Sequence, residues 1–202
     1  MKKRIIMLSL LLAGCAATLN FNQAGKGANT FAPKTIAVLP IAANGAFDHE
    51  AASELISRIL PDELAKRNWF DNVVDPDTVK TQVATNPNVR KFMTDYITTL
   101  QTTGVSDPNL AMELSKLLHV DAFFYCDISA FGKYNISGKS MIGTSLAFKV
   151  IDGKTGNLVW KAGHRIDEPC TIWSCNIEKL NRKLINYMLN FMPKVLPNIG
   201  KK

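Results

Sequence analysis

The chain has 202 residues, a formal net charge of +7 and four cysteines, and 47% of its residues are hydrophobic. That apolar fraction excludes a disordered or collagen-like chain, and the length suits one domain with a substantial core. The sequence has no run of about 20 apolar residues, so a membrane-spanning helix of that kind is not expected.

The positive charge is concentrated at the two ends of the chain. Residues 1–14 contain three basic residues, and residues 176–202 contain six basic residues and one acidic residue. The stretch between them holds 15 basic and 16 acidic residues and is close to neutral. Because the body of the chain is not basic, no nucleic-acid partner is expected.

The N-terminus has the pattern of a secretory signal. Residues 2–4 are basic, and residues 5–12 form an apolar segment that is too short to span a bilayer stably. This segment ends in the sequence LAGC at residues 12–15, which resembles the lipobox of bacterial lipoproteins. The resemblance implies diacylglycerol on the Cys15 thiol, cleavage before Cys15 and acylation of the new amine. The alternative is an ordinary signal peptide with an incidental cysteine.

The residues after the lipobox predict a location and a tether. The residue after Cys15 is Ala16 and not aspartate. In lipoproteins that are sorted by this residue, a residue other than aspartate implies the outer membrane, with the protein facing the periplasm. Residues 16–33 are small and polar and predict a flexible tether whose ends lie about 20–25 Å apart. The predicted units are a signal peptide (1–14), the lipidated cysteine with its tether (15–33), and a single domain (34–202).

The first half of the domain predicts alternating strands and helices. Residues 35–41 are apolar and partly β-branched, which indicates a buried strand. Asp48 is a suitable N-cap for a helix that reaches Arg67 and is kinked or broken at Pro61. A second short strand is predicted at residues 70–74.

Three helices are predicted next, because the same start signal occurs three times. An aspartate or asparagine that can cap a helix stands directly before a proline, which is favoured at the first helical position. The three pairs are Asp75-Pro76, Asn86-Pro87 and Asp107-Pro108. Gly104 fits the end of the second of these helices.

From residue 120 the apolar period changes from 3.6 to two, which indicates strands. Residues 120–131 and 146–150 alternate, and residues 152–157 form a turn-rich link to a further alternating stretch. A last helix begins near Asn176. The predicted order is β-α-β-α-α-α-β-β-β-α, an α/β sandwich with a mixed sheet and covering helices.

Four segments of this pattern resemble a family of bacterial envelope lipoproteins. The family includes the curli-secretion lipoprotein CsgG, the penicillin-binding-protein activator LpoB and neisserial lipoproteins of unknown function, and the TolB N-terminal domain is related. The segments are IAVLPI (36–41) and the stretches 64–74, 110–129 and 146–165. The resemblance implies an anticodon-binding-domain-like α/β fold and a scaffold or assembly role, and none of its motifs is catalytic.

The sequence departs from the channel-forming members of that family. The curli channel needs two membrane-inserting hairpins per subunit, and a spanning strand needs about 9–11 alternating residues. Only residues 133–142 alternate weakly, and residues 86–104 have a helical period instead. A secretion-channel subunit therefore stays the alternative to a scaffold.

The cysteines beyond Cys15 suit structural roles. Cys170 and Cys175 lie five positions apart in a chain with an export signal, where disulfides persist, so a disulfide between them is expected over free thiols. Their spacing does not match a redox-active CxxC motif. Cys126 lies on the apolar face of a predicted strand and is expected to be a buried free thiol.

No catalytic or metal site is predicted. Asp121 and Asp127 lie six positions apart on one strand, too far apart for paired acid–base chemistry. The spacing of the histidines does not suggest metal binding. They are His49, His119 and His164. No cofactor is expected apart from the covalent lipid on Cys15.

The C-terminal helix is the one surface singled out for binding. Lys179, Arg182 and Lys183 lie opposite its apolar stripe, where they would contact anionic lipid headgroups or an acidic partner. The alternative is the ordinary solvated face of a covering helix.

The sequence predicts a non-enzymatic outer-membrane lipoprotein that binds envelope proteins as an assembly, scaffold or regulatory subunit. The alternative is a CsgG-like secretion-channel subunit, which requires a homo-oligomer. An envelope enzyme is the third hypothesis.

Overall fold

Six strands form one mixed sheet with helices on both faces. The computed structural model describes residues 19–44, 46, 48–171 and 175–193. The strands are β1 (Phe21–Ala24), β2 (Thr35–Val38), β3 (Asn72–Val74), β4 (Ala122–Ile136), β5 (Lys139–Asp152) and β6 (Leu158–Pro169). The helices are α1 (His49–Ala65), α2 (Pro76–Thr85), α3 (Pro87–Thr103), α4 (Pro108–Leu118) and α5 (Ile177–Leu189), with a short 3-10 turn at Ala28–Thr30.

The order of the strands in the sheet is β1-β6-β5-β4-β2-β3. Strand β2 lies parallel to both β3 and β4, and the other pairs are antiparallel. From β2 to α5 the elements follow the predicted order β-α-β-α-α-α-β-β-β-α, so the predicted fold class is confirmed.

The three predicted helix starts are confirmed. Asp75, Asn86 and Asp107 each accept hydrogen bonds from the backbone N–H groups two and three positions ahead, and each precedes a proline at the first helical position. Gly104 ends α3 with φ of 71°, a conformation that costs glycine little.

The alternation of β4 builds two hydrophobic cores, one on each side of the sheet. Phe124 and Cys126 face the core beneath α1 and α5, whereas Phe123 and Tyr125 face the core beneath α2, α3 and α4. All four are buried. The free Cys126 thiol is therefore a small apolar core group, as expected, and burial raises its pKa well above the usual value.

Strands β4 and β5 form a long hairpin. The two strands pair from Ala122↔Asp152 to Ile136↔Lys139, and they are joined by a turn at Ser137 and Gly138 with positive φ at both residues. Strand β6 follows β5 as far as the pair Met141↔Pro169. Residues 133–142, which alternate weakly in sequence, are thus the end of a sheet hairpin.

The tether expected over residues 16–33 is corrected by the structure. Phe21–Ala24 forms β1, which pairs antiparallel with β6 at the edge of the sheet. Asn22 accepts a hydrogen bond of 2.8 Å from the indole N–H of Trp160, and Phe31 is buried in the core beneath α1. The folded domain therefore includes residues from Leu19 onward, and residues 16–18 lie outside the described part of the chain.

Of the kink or break expected at Pro61, the structure excludes the break. Helix α1 is continuous from His49 to Ala65, with Asp48 as its N-cap and Pro61 inside it. Its inner face packs on the sheet through Ile56, Ile59 and Leu60, which are fully buried. This packing holds the helix together although proline removes one of its hydrogen bonds.

Replacing Asn22 with alanine tests the role of β1. The residue Trp160 is 1% exposed, and Asn22→Ala removes the oxygen that accepts the hydrogen bond of its indole N–H. We expect the free energy of unfolding to fall by about 1–3 kcal/mol, measured by chemical denaturation in mild detergent. The control is Gln23→Ala on the same exposed strand, which should change stability by less than about 0.5 kcal/mol. Equal effects of both variants would contradict this role.

Candidate functional site

Arg182, one of the three predicted binding residues, forms its ion pairs within the protein. Its guanidinium donates hydrogen bonds to Glu63 of α1 at 2.7 Å and to Glu178 at 3.0 Å. The Glu63 side chain is only 5% exposed and also accepts from Lys66 and Asn186 at 2.7 Å. Arg182 therefore joins α5 to α1 and is not a free cation for lipid or an acidic partner.

The other two predicted basic residues differ from Arg182. Lys183 forms an ion pair of 2.5 Å with Glu168 of β6, and both side chains are substantially exposed. Lys179 makes no side-chain ion pair within the described ranges, and its backbone N–H donates to the side chain of Asn176, the N-cap of α5. Of the three predicted binding residues, Lys179 is therefore the one whose side chain is unpaired among the described residues.

Burial and hydrogen bonding act in opposite directions on Glu63. Burial raises the pKa of this carboxyl, but the hydrogen bonds from Lys66, Asn186 and Arg182 outweigh burial, so its pKa lies below the ordinary value. The ionised form is therefore the one that the α1–α5 contact stabilises.

The two C-terminal cysteines are joined. The structure contains a disulfide between Cys170 and Cys175, whose Cα atoms lie 4.6 Å apart. It connects the end of β6 to the residue before the N-cap of α5, so it fixes the entry of that helix. Cys15, the predicted lipidation site, lies outside the described residues.

Asp121, directly before β4, and Asp127, within it, do not form a catalytic pair. Asp121 accepts hydrogen bonds from the backbone N–H groups of Lys34 and Thr35 at 2.9 and 3.0 Å, which ties β2 to β4. Asp127 is half-buried, and burial raises its pKa although Lys149 lies nearby. The first carboxylate is thus a structural link, and the second lies on the sheet.

The histidines also have local roles. His49 contacts the carbonyl oxygen of Ala43, and His164 lies 2.8 Å from the side-chain oxygen of Asn20. His119 ends α4 in the left-handed conformation. No group of three or more potential metal ligands occurs among the described residues, and no described helix is long and apolar enough to cross a membrane.

A groove of about 610 Å³ runs beside the outer face of α1. One wall is α1, and the other is formed by the start of α2. The lining contains five acidic residues and two basic ones. These are Glu50, Glu54, Asp62, Asp75, Asp77, Arg58 and Lys80. The groove is therefore strongly acidic, although the chain as a whole is basic.

Sequence reasoning did not identify this groove, although part of its signal was present. Glu50 and Glu54 lie four positions apart, and Asp62 lies eight positions further, which places all three toward one side of a helix. The contribution of α2 could not be read from the sequence, because it depends on how β3 brings Asp75 beside α1.

Comparison with known proteins reveals similarity at the level of structure. Neither a protein-family model nor a curated protein sequence matches the chain. The PelC dodecamer from Paraburkholderia phytofirmans has a TM-score of 0.52 and 15% identity, over 86% of this chain and 95% of that chain. The two chains share a fold.

Two further solved structures were matched with lower scores. Lipoprotein GNA1162 from Neisseria meningitidis has a TM-score of 0.47 and 16% identity, over 78% of this chain and 99% of that chain. The LpoB C-terminal domain from Salmonella enterica has a TM-score of 0.38 and 14% identity, over 67% of this chain and 84% of that chain. At such identities the similarity to PelC shows the fold alone.

The α1–α5 contact predicts a pH-dependent stability. Arg182→Gln removes a charged donor from the buried Glu63, and we expect a loss of about 1–3 kcal/mol at neutral pH. A carboxyl with a lowered folded pKa stabilises the protein above its unfolded pKa, and this contribution is lost as the pH falls through the folded pKa. The difference between wild type and variant should therefore shrink in acid, as measured by denaturation across pH.

The matched control for this prediction is Lys183→Gln on the same helix. Its ion pair with Glu168 is exposed, so its loss should cost less than about 1 kcal/mol. If the two variants had equal effects at every pH, the special role of Arg182 would be rejected.

Thiol counting tests the disulfide. In a Cys15→Ser chain three cysteines remain, of which the buried Cys126 is free. We expect no labelling of the folded protein by a maleimide, one label after unfolding, and three labels after unfolding with a reductant. Three labels without a reductant, read by intact mass, would show free thiols at Cys170 and Cys175.

Proposed function

We propose that this protein is a lipid-anchored protein of the bacterial cell envelope that binds other envelope proteins and catalyses no reaction. The observation that carries the proposal is the LAGC sequence at residues 12–15, directly after a basic and then apolar N-terminal segment. Several acyl chains on Cys15 would give stable attachment to a membrane. Alanine at position 16 supports the outer membrane, with the domain on the periplasmic side.

The position of β1 refines this proposal. Cys15 lies six positions before Phe21, where the sheet begins, and six residues span at most about 20 Å. A lipid on Cys15 would therefore hold the domain close to the bilayer surface. Its partners would be membrane-associated proteins or proteins that approach that surface.

The second candidate is a self-assembling subunit, including a secretion channel. The shared fold of PelC, which is a dodecamer, favours it. In the channel version residues 133–142 would have to leave the sheet, although in this structure they pair within the β4–β5 hairpin. A self-assembling subunit that is not a channel needs no such rearrangement.

Replacing Cys15 with serine tests the proposed lipid anchor. Cys15→Ser should abolish lipidation and move the protein out of the outer-membrane fraction, because no acyl chain remains to hold it there. Intact-mass analysis of the wild type should give a triacylated chain that begins at Cys15. The control is the pair Cys170→Ser and Cys175→Ser, which should leave fractionation unchanged. A full-length or unmodified wild-type mass would overturn the proposed anchor.

The binding role is tested by crosslinking in intact cells followed by purification of the lipidated protein. A different envelope protein recovered in fixed ratio would support the first candidate. Recovery mainly of the protein itself, in ring-sized multiples, would instead favour the self-assembling subunit. Turnover in a screen of envelope substrates would reject a purely non-enzymatic role.

A further inference from the structure

The acidic groove beside α1 contains carboxylates that the protein itself does not neutralise. Lys80 is paired with Asp77 at 2.9 Å, and Asp75 accepts the capping hydrogen bonds of α2. Glu50 and Glu54, by contrast, make no side-chain ion pair or hydrogen bond within residues 48–171 and the other described ranges. Both are exposed.

The positive charges near the groove are already committed elsewhere. Arg58 pairs with Glu178 at 2.9 Å, and Arg182 binds Glu63 more closely than Asp62, which lies 3.9 Å away. The three least compensated carboxylates are therefore Glu50, Glu54 and Asp62. Charges of one sign concentrated in a concave surface raise the local concentration of the opposite charge.

Ser57 supplies a second, independent observation that points to a ligand in this groove. It lines the groove, is 8% exposed, and its hydroxyl oxygen has no hydrogen-bond partner among the residues that the structure describes. Buried polar side chains nearly always have partners, because an unpaired one costs free energy. Such an atom beside a groove is explained if a bound group completes its hydrogen bonding.

Pro61 frees a second acceptor at the same place. In a regular helix the N–H of residue 61 would donate to the carbonyl oxygen of Ser57, four positions earlier. Proline has no N–H, so this carbonyl lacks its usual helical donor. Pro61 also lines the groove. The continuous α1 thus carries, at its centre, one hydroxyl and one carbonyl oxygen without their expected helical or side-chain partners.

The spacing of the carboxylates favours an elongated ligand over a compact cation. At 1.5 Å rise per residue, Glu50 and Glu54 are separated by about 6 Å along α1, and Glu54 and Asp62 by about 12 Å. A single amine reaches one of these carboxylates, whereas a chain with several amines reaches all three.

We infer that the groove beside α1 binds a lysine- or arginine-bearing segment of a partner protein. Cationic side chains would pair with Glu50, Glu54 and Asp62, and a donor of the segment would bind the Ser57 and Pro61 region. This inference rests on the proposed binding role and specifies the chemistry of the partner.

The experiment measures binding of a short peptide of alternating lysine and alanine to the lipidated protein in mild detergent. Its control is the same peptide with every lysine acetylated, which should not bind. In the protein, Glu54→Gln with Asp62→Asn should weaken the lysine peptide at least about tenfold, because charge-assisted contacts are lost. The matched control, Glu113→Gln with Asp95→Asn, removes the same charges from α4 and α3 and should leave affinity unchanged.

Two further variants separate specific binding from general attraction between charges. Ser57→Ala and Pro61→Ala keep the net charge, so they should not change affinity if the peptide is held only by the overall field. We expect both to weaken peptide binding, while neither lowers the melting temperature, since each removes an unsatisfied group or restores a helical hydrogen bond.

Several results would overturn the inference. These are no binding of the lysine peptide, equal loss in the matched control, unchanged affinity in both Ser57→Ala and Pro61→Ala, or a groove that proves to be covered by a second copy of the chain. Failure here would leave the crosslinking result intact, so the proposed binding role and its cationic partner are judged separately.

Discussion

Strand β4 is the constraint on which the rest of this structure depends. Its first half is buried on both faces, with Phe124 on one side and Phe123 on the other. A strand of this kind is stable only if helices cover both sides of the sheet. Helices α1 and α5 cover one side, and α2, α3 and α4 cover the other. The parallel β2 pairs with the start of β4, and the antiparallel β5 pairs with it along its length.

Helix α1 has one face that stabilises the fold and another that is free to bind a partner. Toward α5 it presents Glu63, whose buried charge is matched by Arg182, Lys66 and Asn186. On its outer face it presents Glu54, whose carboxylate has no such partner among the described residues. Buried charges must be paired because their desolvation is costly, whereas exposed charges impose no such demand. The paired side is thus fixed by folding, and the exposed side is left free for recognition.

A shared fold and a shared function are separate questions for this protein. The similarity to PelC shows how the chain is folded, and folds of this type do not dictate a partner. The proposed function rests instead on the N-terminal cysteine motif, and the proposed partner chemistry rests on the groove. Strand β1 connects these two parts, since it brings the folded sheet to within six residues of Cys15.

The sequence by itself determined the order of elements from β2 to α5, because the signals for those elements are local. Asp75, Asn86 and Asp107 each stand before a proline, and the period-two alternation needs only neighbouring residues to be seen. It also indicated the burial of Cys126, since strand alternation places that thiol on the apolar face.

Tertiary structure decided the features that depend on distant residues. Strand β1 is short, polar and exposed, so it has no periodic signal, and it exists because β6 offers an unpaired edge. Pro61 stays within a helix because the buried face of α1 outweighs the lost hydrogen bond. Arg182 reads as a surface cation in sequence, yet it is bound by Glu63, which is 119 residues away. Only the folded chain brings such pairs together, and no local pattern encodes them.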